Sequence, residues 1–269
     1  MFRVLLFLVF FVLTVSAKAQ RDTLLARNIT TTSNMVGIGG VNVLDTYISP
    51  EKYRGTELRF ISMTEKRRPG NALSYQRILQ LNLSLPHNRA RTADYLAGML
   101  NYSWGLHYNF DLLDEKCLNI KLGGLADANL GGLYSTRSSN NPGQLKAYVN
   151  ITPSVIASYD FPLWRRVFSV RYEADAPLFG VMFSPHYGQS YYEIFSEGHT
   201  DHNIVFTTIG CAPSLRQMLS VDVPIGKATM RVGYVGDFQQ ANVNGIKSHS
   251  WSNAFMIGFV KRFRMSKIR

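Results

Sequence analysis

The chain has 269 residues, 46% hydrophobic, 12% aromatic and 17% charged, with a formal net charge of +11 and two cysteines. The charged fraction lies below the roughly 25% of an average soluble domain, which excludes a disordered, solvated chain. Two lone cysteines are no disulfide framework; an exported pair could form one bridge, but Cys117 and Cys211 are expected as free or buried thiols.

The chain opens "MFRVLLFLVFFVLTVSAKAQ": Arg3, then an apolar run from Val4 to Val15, then Ala17-Lys18-Ala19. That order is a secretory signal peptide, residues 1–19, cut near Ala19. The run is too short for a helix across a bilayer, which needs roughly 20 residues. No longer apolar run follows, so the exported chain is either soluble or crosses a membrane as strands. Residues 20–33 read as an N-terminal periplasmic segment, and 36–44 and 56–64 as weakly patterned strands, joined to the next by the long turn "EKRRPGNA".

From there a two-residue period dominates. "SYQRILQLNLSL" sets Tyr75, Leu79, Leu81, Leu83 and Leu85 against Gln76, Gln80, Asn82 and Ser84. "LNYSWGLHYNFD" sets Leu100, Tyr102, Trp104, Leu106, Tyr108 and Phe110 against Asn101, Ser103, His107, Asn109 and Asp111. The alternation returns in "CLNIKLGGLADANL", "AYVNITPSVIASYDF", "VFSVRYEAD", "ATMRVGYVGDF" and "SWSNAFMIGFVKRF". Such a period argues strand. These runs exceed the mean globular strand of roughly 5 to 6 residues and suit transmembrane strands, which need about 9 to 11. Short turns at 112–115, 162–165 and 224–227 alternate with longer polar loops at 86–94, 132–145, 187–202 and 239–249, as turns and loops do at the two ends of a membrane barrel.

The apolar parity slips twice, at Ala176-Pro177 and at Ala212-Pro213. A proline inside a strand marks a bulge or an edge, and a bulge shifts the phase by one. Read as bulges, these leave two long strands and a barrel of about ten. Read as turns, they give twelve. The expected fold is all-β, an antiparallel transmembrane β-barrel over residues 34–263, followed by a basic C-terminal tail, 264–269.

The closing "FMIGFVKRF" resembles the C-terminal signature of bacterial outer-membrane barrels. "SPEKYRGTELRF", "FSPHYGQSYYEIF" and "RVGYVGDF" resemble an uncharacterised outer-membrane β-barrel family of Bacteroidetes, a domain of unknown function. The resemblance covers most of the mature chain and implies fold and location. It brings no activity with it.

The polar faces supply the candidate lumen: Glu57 and Arg59, then Lys121 and Asp127, then Arg171, Glu173 and Asp175. Arg216, Asp222, Arg231 and Asp237 complete it, with His107 as a hydrogen-bonded lumen residue. In a narrow barrel, whose interior is just wide enough for side chains, such a set reads as an ion-pair network filling the lumen. The competing reading is a polar path for a solute. In the loop after strand seven, His186 and Ser190 with a nearby acid would suit an esterase or phospholipase. His199, Asp201 and His202 would suit a metal. Tyr187, Tyr191, Tyr192 and Phe195 make the 187–202 stretch an aromatic surface for an extracellular ligand.

The basic residues are scattered: Lys66 to Arg68, Arg89, Arg91, Arg165, Arg166, and Lys261 to Arg269. They read as a collar for outer-membrane lipid and lipopolysaccharide phosphate rather than for nucleic acid. No phosphate-binding glycine loop, CxxC or dinucleotide fingerprint occurs, so no cofactor is expected. The expected protein is a non-enzymatic, porin-like outer-membrane barrel of a Gram-negative bacterium, inserted by the barrel-assembly machinery. Its role would be structural, binding or narrow-channel; the alternative is the barrel-embedded hydrolase.

Overall fold

The computed structural model describes residues 29–68, 71–112, 117–138, 141–164, 166–226 and 228–264. The expected leader (1–19), residues 20–28 of the N-terminal segment and the tail from 265 onward lie outside the described residues. In chain order the strands are β1 (Ile29–Asp45), β2 (Ser49–Arg67), β3 (Leu73–His87), β4 (Tyr95–Leu112), β5 (Leu118–Ser135) and β6 (Gly143–Leu163). They continue as β7 (Arg166–Asp175), β8 (Phe179–Phe183), β9 (Ile204–Thr208), β10 (Leu215–Ile225), β11 (Ala228–Val243) and β12 (Ile246–Arg264). One short helix, α1 (Tyr191–Phe195), lies between β8 and β9.

Ten of these strands close into an antiparallel barrel: β1 to β7 and β10 to β12. The seam joins β1 to β12, from Ile29 opposite Arg264 to Asp45 opposite Ser248. The other two, β8 and β9, continue β7 and β10 beyond the Ala-Pro breaks. Along β6 the pairing runs from Ser154 opposite Asp175 to Ile151 opposite Phe179. Three steps of β6 thus face four of its neighbour, the single extra residue of a bulge. The second break is wider. Asp175 faces Arg216, yet Phe179 faces Thr208, so four steps oppose eight and residues 209–214 loop out of the ladder. Pro177 and Pro213 have no N–H to give a neighbouring strand, which is why the ladder breaks there.

The alternation becomes an outside and an inside. On β4, Leu100, Tyr102, Trp104, Leu106, Tyr108 and Phe110 are all exposed, and Asn101, Ser103, His107 and Asn109 are buried in the lumen. Exposed apolar residues continue round the wall, Val36, Ile38, Leu58, Leu83, Val149, Ile257 and Phe259 among them. This apolar exterior suits lipid.

Two boundaries differ from the expectation. The barrel begins at Ile29 rather than 34 and its last strand runs through Arg264. The run Thr30 to Ser33 is polar on both faces, so it carries no alternation to read. The expected loop 239–249 is absent: β11 and β12 run on to a two-residue hairpin, Asn244-Gly245, with φ of 52° and 75°. Asn-Gly is the strongest short signal for such a turn because both positions need positive φ. Its flanks Gln239, Gln240, Lys247 and Ser248 look like loop because polar residues stand on both faces there.

Candidate functional site: the lumen and its loop end

The lumen is layered. At mid-height Met35, Ile61, Ile78, Leu125, Met218, Val235 and Met256 form one buried apolar cluster across the interior. Each sits on the inward parity of its strand, so the layer is built from residues of seven strands, the closing pair β1 and β12 among them, none adjacent in sequence. Apolar character alone assigns a residue to the lipid side; these methionines break that assignment, and their unbranched, adaptable side chains fill the irregular centre.

An ion network lies on the loop-end side of this layer. Arg59 donates from Nε to Glu57 (2.7 Å) and from Nη1 to Asp237 (2.9 Å). Gln80 adds a donor to Asp237 (2.9 Å). Arg216 pairs with Asp175 (2.9 Å) and donates to Asn101 (3.1 Å). Thr152 donates to Asp127. On the turn-end side, Arg171 bridges Glu65 (3.1 Å) and Glu173 (3.0 Å), Lys121 pairs with Glu65, and Arg231 grips Asp222 from Nε and Nη2 (2.6 and 2.9 Å). His107 meets the Ser154 hydroxyl at 2.9 Å. All eleven sequence-selected lumen residues therefore face inward, and the five cations among them each have a carboxylate partner. Sequence reasoning missed Glu65. It stands on the same inward row of β2 as Glu57 and Arg59, just past the stretch that showed alternation.

Toward the loop end lies a second buried apolar cluster, Val41, Val43, Tyr53, Ala93 and Tyr95, in which the two tyrosine rings stack at 3.6 Å. Beside it lies a cavity of about 90 Å³, walled largely by apolar groups including Val43, Ala97, Met99, Leu133 and Met182. The turn between β1 and β2 is tied to the long loop: Tyr47 donates its hydroxyl to the Gln189 carbonyl (2.9 Å) and sets its ring edge-on to Tyr191. Burial, reinforced by Tyr191 and Asp45, pushes the Tyr47 hydroxyl up to about 12.

The loop residues do not assemble a catalytic or metal site. Ser190 is the N-cap of α1. Its hydroxyl accepts from the Glu193 N–H (3.2 Å), and its own N–H donates to the Glu193 carboxylate (2.6 Å), a capping box. The His186 ring meets the Asp201 carbonyl (3.2 Å), so His186 and Ser190 are engaged apart from one another. His202 pairs with Asp201 (2.9 Å) while His199 turns to Glu197 (3.6 Å), all on the surface. Among the described residues no three His, Cys, Asp or Glu converge as a metal site. Cys211 is a free, partly exposed thiol of the looped-out segment, and Cys117 is buried.

The cap gives a testable outcome. The Ser190 backbone and side chain hold the Glu193 carboxyl below the ordinary carboxylate range. A lowered pKa in the folded loop means that the stabilisation is present above the ordinary carboxylate value, about 4.3, and is lost as pH falls through the lowered one. Ser190→Ala is expected to loosen α1 by about 1 kcal/mol, seen as faster protease nicking within 186–202, with Ser190→Asp restoring protection. Equal nicking rates in all three proteins would remove the cap from the account.

Three solved outer-membrane barrels are similar to this chain. The outer membrane protease OmpT from Escherichia coli is 8% identical, with a TM-score of 0.50 over 92% of this chain and 100% of that one. The transport unit of the autotransporter AIDA-I from Escherichia coli is 8% identical, with a TM-score of 0.40 over 92% and 93%. Neisserial surface protein A is 11% identical, with a TM-score of 0.30 over 86% and 96%. The OmpT likeness shows a common outer-membrane barrel fold. No curated protein matches the sequence. The profile of one family spans residues 4–269, and the chain belongs to that family, described as a protein of unknown function (DUF3316).

Proposed function

We propose that this protein is a non-enzymatic outer-membrane barrel of a Gram-negative bacterium that acts by binding at its loop end and does not conduct. It reaches the membrane after removal of residues 1–19 and insertion by the barrel-assembly machinery, with the loop end outward. The observation that carries the reading is the apolar layer of Met35, Ile61, Ile78, Met218 and Met256 lying between two paired ion networks. A solute or ion crossing the lumen would have to shed water at that layer and separate buried pairs above and below it, each costly in a low-dielectric interior.

A basic rim supports the orientation. Lys52 and Arg54 continue the outward row of Leu58 on β2, and Arg54 stands opposite His87 on β3, next to the exposed Arg89 and Arg91. Cations just above an apolar band suit the phosphates of lipopolysaccharide.

The test is planar-bilayer recording of the purified barrel. No stable conductance steps are expected across the range of voltages a bilayer tolerates. Reproducible ohmic steps from the folded wild type would overturn the reading.

A further inference from the structure

We propose that the cavity at the loop end takes the tail of a single-chain amphiphile that arrives sideways from the bilayer, through the wall between β9 and β11. The inference rests on the binding reading above and names its ligand class. The first observation is the break in the wall. β10 pairs with β11 only as far as Leu215 opposite Phe238, and β9 is the free end of the sheet, bonded to β8 alone. Residues 239–243 of β11 therefore have no strand on that side. What stands there is the looped-out segment 209–214, held to β11 by two hydrogen bonds: the Asn242 N–H to the Cys211 carbonyl (2.8 Å) and the Gln240 N–H to the Ser214 hydroxyl (3.2 Å). In a continuous antiparallel ladder Asn242 and Gln240 would each exchange a pair of bonds with a neighbouring strand. Here each donates one, to a looped segment, so the panel is weaker than the paired wall on either side.

The second observation is the cavity itself. Its lining reaches Ala212 and Ser214 of that panel, and Thr208, Gln240 and Ala241 on either side of it. The panel closes the break with small residues, Gly210, Ala212 and Ser214.

The third is what lies outside. The panel is bordered by exposed Phe179, Phe206, Ile209 and Leu215, an apolar surface that belongs against lipid. A molecule reaching the panel comes from the membrane rather than from water. Size selects the occupant. At about 90 Å³ the space is smaller than the roughly 150 Å³ that houses a benzene ring, so an unbranched chain end fits where a ring does not. The apolar layer beneath stops the chain from passing through. Polar groups also line the cavity, Asn82 and Gln239 among them.

The experiment uses the full barrel in phospholipid vesicles with doxyl-labelled stearic acid, read by electron paramagnetic resonance. The wild type is expected to show an immobilised component that unlabelled stearic acid displaces to saturation. Ala241→Phe, which fills the cavity, is expected to weaken it about tenfold or more. Thr207→Leu on β9 provides a second filling variant should the first fail to fold. Chains merely restricted at the barrel's outer surface are indifferent to a side chain inside it. Ala212→Trp, in the panel, is expected to slow exchange of the bound chain. The proposal is overturned by a folded wild type with no displaceable component or by folded filling variants that retain it, and its lateral route by unchanged exchange in Ala212→Trp. Conductance recorded on the same wild type separates the two readings: stable steps sink the closed lumen, whereas silence without a bound chain sinks only this inference.

Discussion

Gly258→Ala is expected to abolish the closed barrel. Gly258 lies on the lumen face of β12, at the seam, opposite Met35 of β1. A Cβ there would overlap the Asn34 carbonyl oxygen and stand 2.7 Å from the Met35 Cα. Both obstacles are backbone, so no rotamer relieves them, and the strand must move away from the partner it closes against. Gly39 meets the same obstruction from Asn253 across the seam. The contrast is Gly40, which points outward with nothing nearer than the Gly55 carbonyl at 4.0 Å. In detergent, the wild type and Gly40→Ala should migrate faster unboiled than boiled on a gel, the mark of a folded barrel, and Gly258→Ala should show only the slow form. A fast form in Gly258→Ala would show that close approach at the seam is dispensable.

The second large effect is expected at Arg59. Its guanidinium is shared between Glu57 and Asp237, and the relative exposures of the three are 3%, 1% and 6%. Arg59→Met keeps much of the volume but leaves two buried carboxylates without their cation. Removing one partner of a buried pair costs about 3–5 kcal/mol, whereas replacing the whole set with neutral groups is often near neutral. Urea unfolding in micelles, followed by tryptophan fluorescence, should show a much lower midpoint for Arg59→Met. Most of it should return in the triple variant Arg59→Met, Glu57→Gln, Asp237→Asn. A single variant as stable as the triple would mean that solvent reaches these carboxylates and that the upper lumen is wetter than its burial indicates.

Both expectations depend on contacts the chain order conceals, and that divides what was legible early from what was not. The strands, their inside and outside faces, the count of ten and the two Ala-Pro breaks all followed from residue order. Each is local: a strand's side chains alternate whatever it pairs with, and a proline lacks an N–H wherever it sits. The same locality put Glu57, Arg59, Lys121 and Arg171 on the polar faces. It failed where the two faces are alike, at Thr30 to Ser33 and at Gln239 to His249, because a period needs a contrast to be visible.

Partnership was not legible. Arg59 reaches Asp237 and Ser252 because closing a ring of ten strands at one stagger sets β2 across from β11 and β12. Met35, Met218 and Met256 meet at the centre for the same reason, though apolar character alone would send such a side chain to the lipid. Ser190 and His186 stand four residues apart in sequence, yet one caps a helix turn and the other turns to Asp201. The wall panel at 209–214 exists only because one break absorbs a single extra residue and its neighbour absorbs four. Residue order sets which way each side chain points, since that is a property of one extended backbone. What each one meets is settled on closure of the barrel, since that depends on the register with which ten separate strands join.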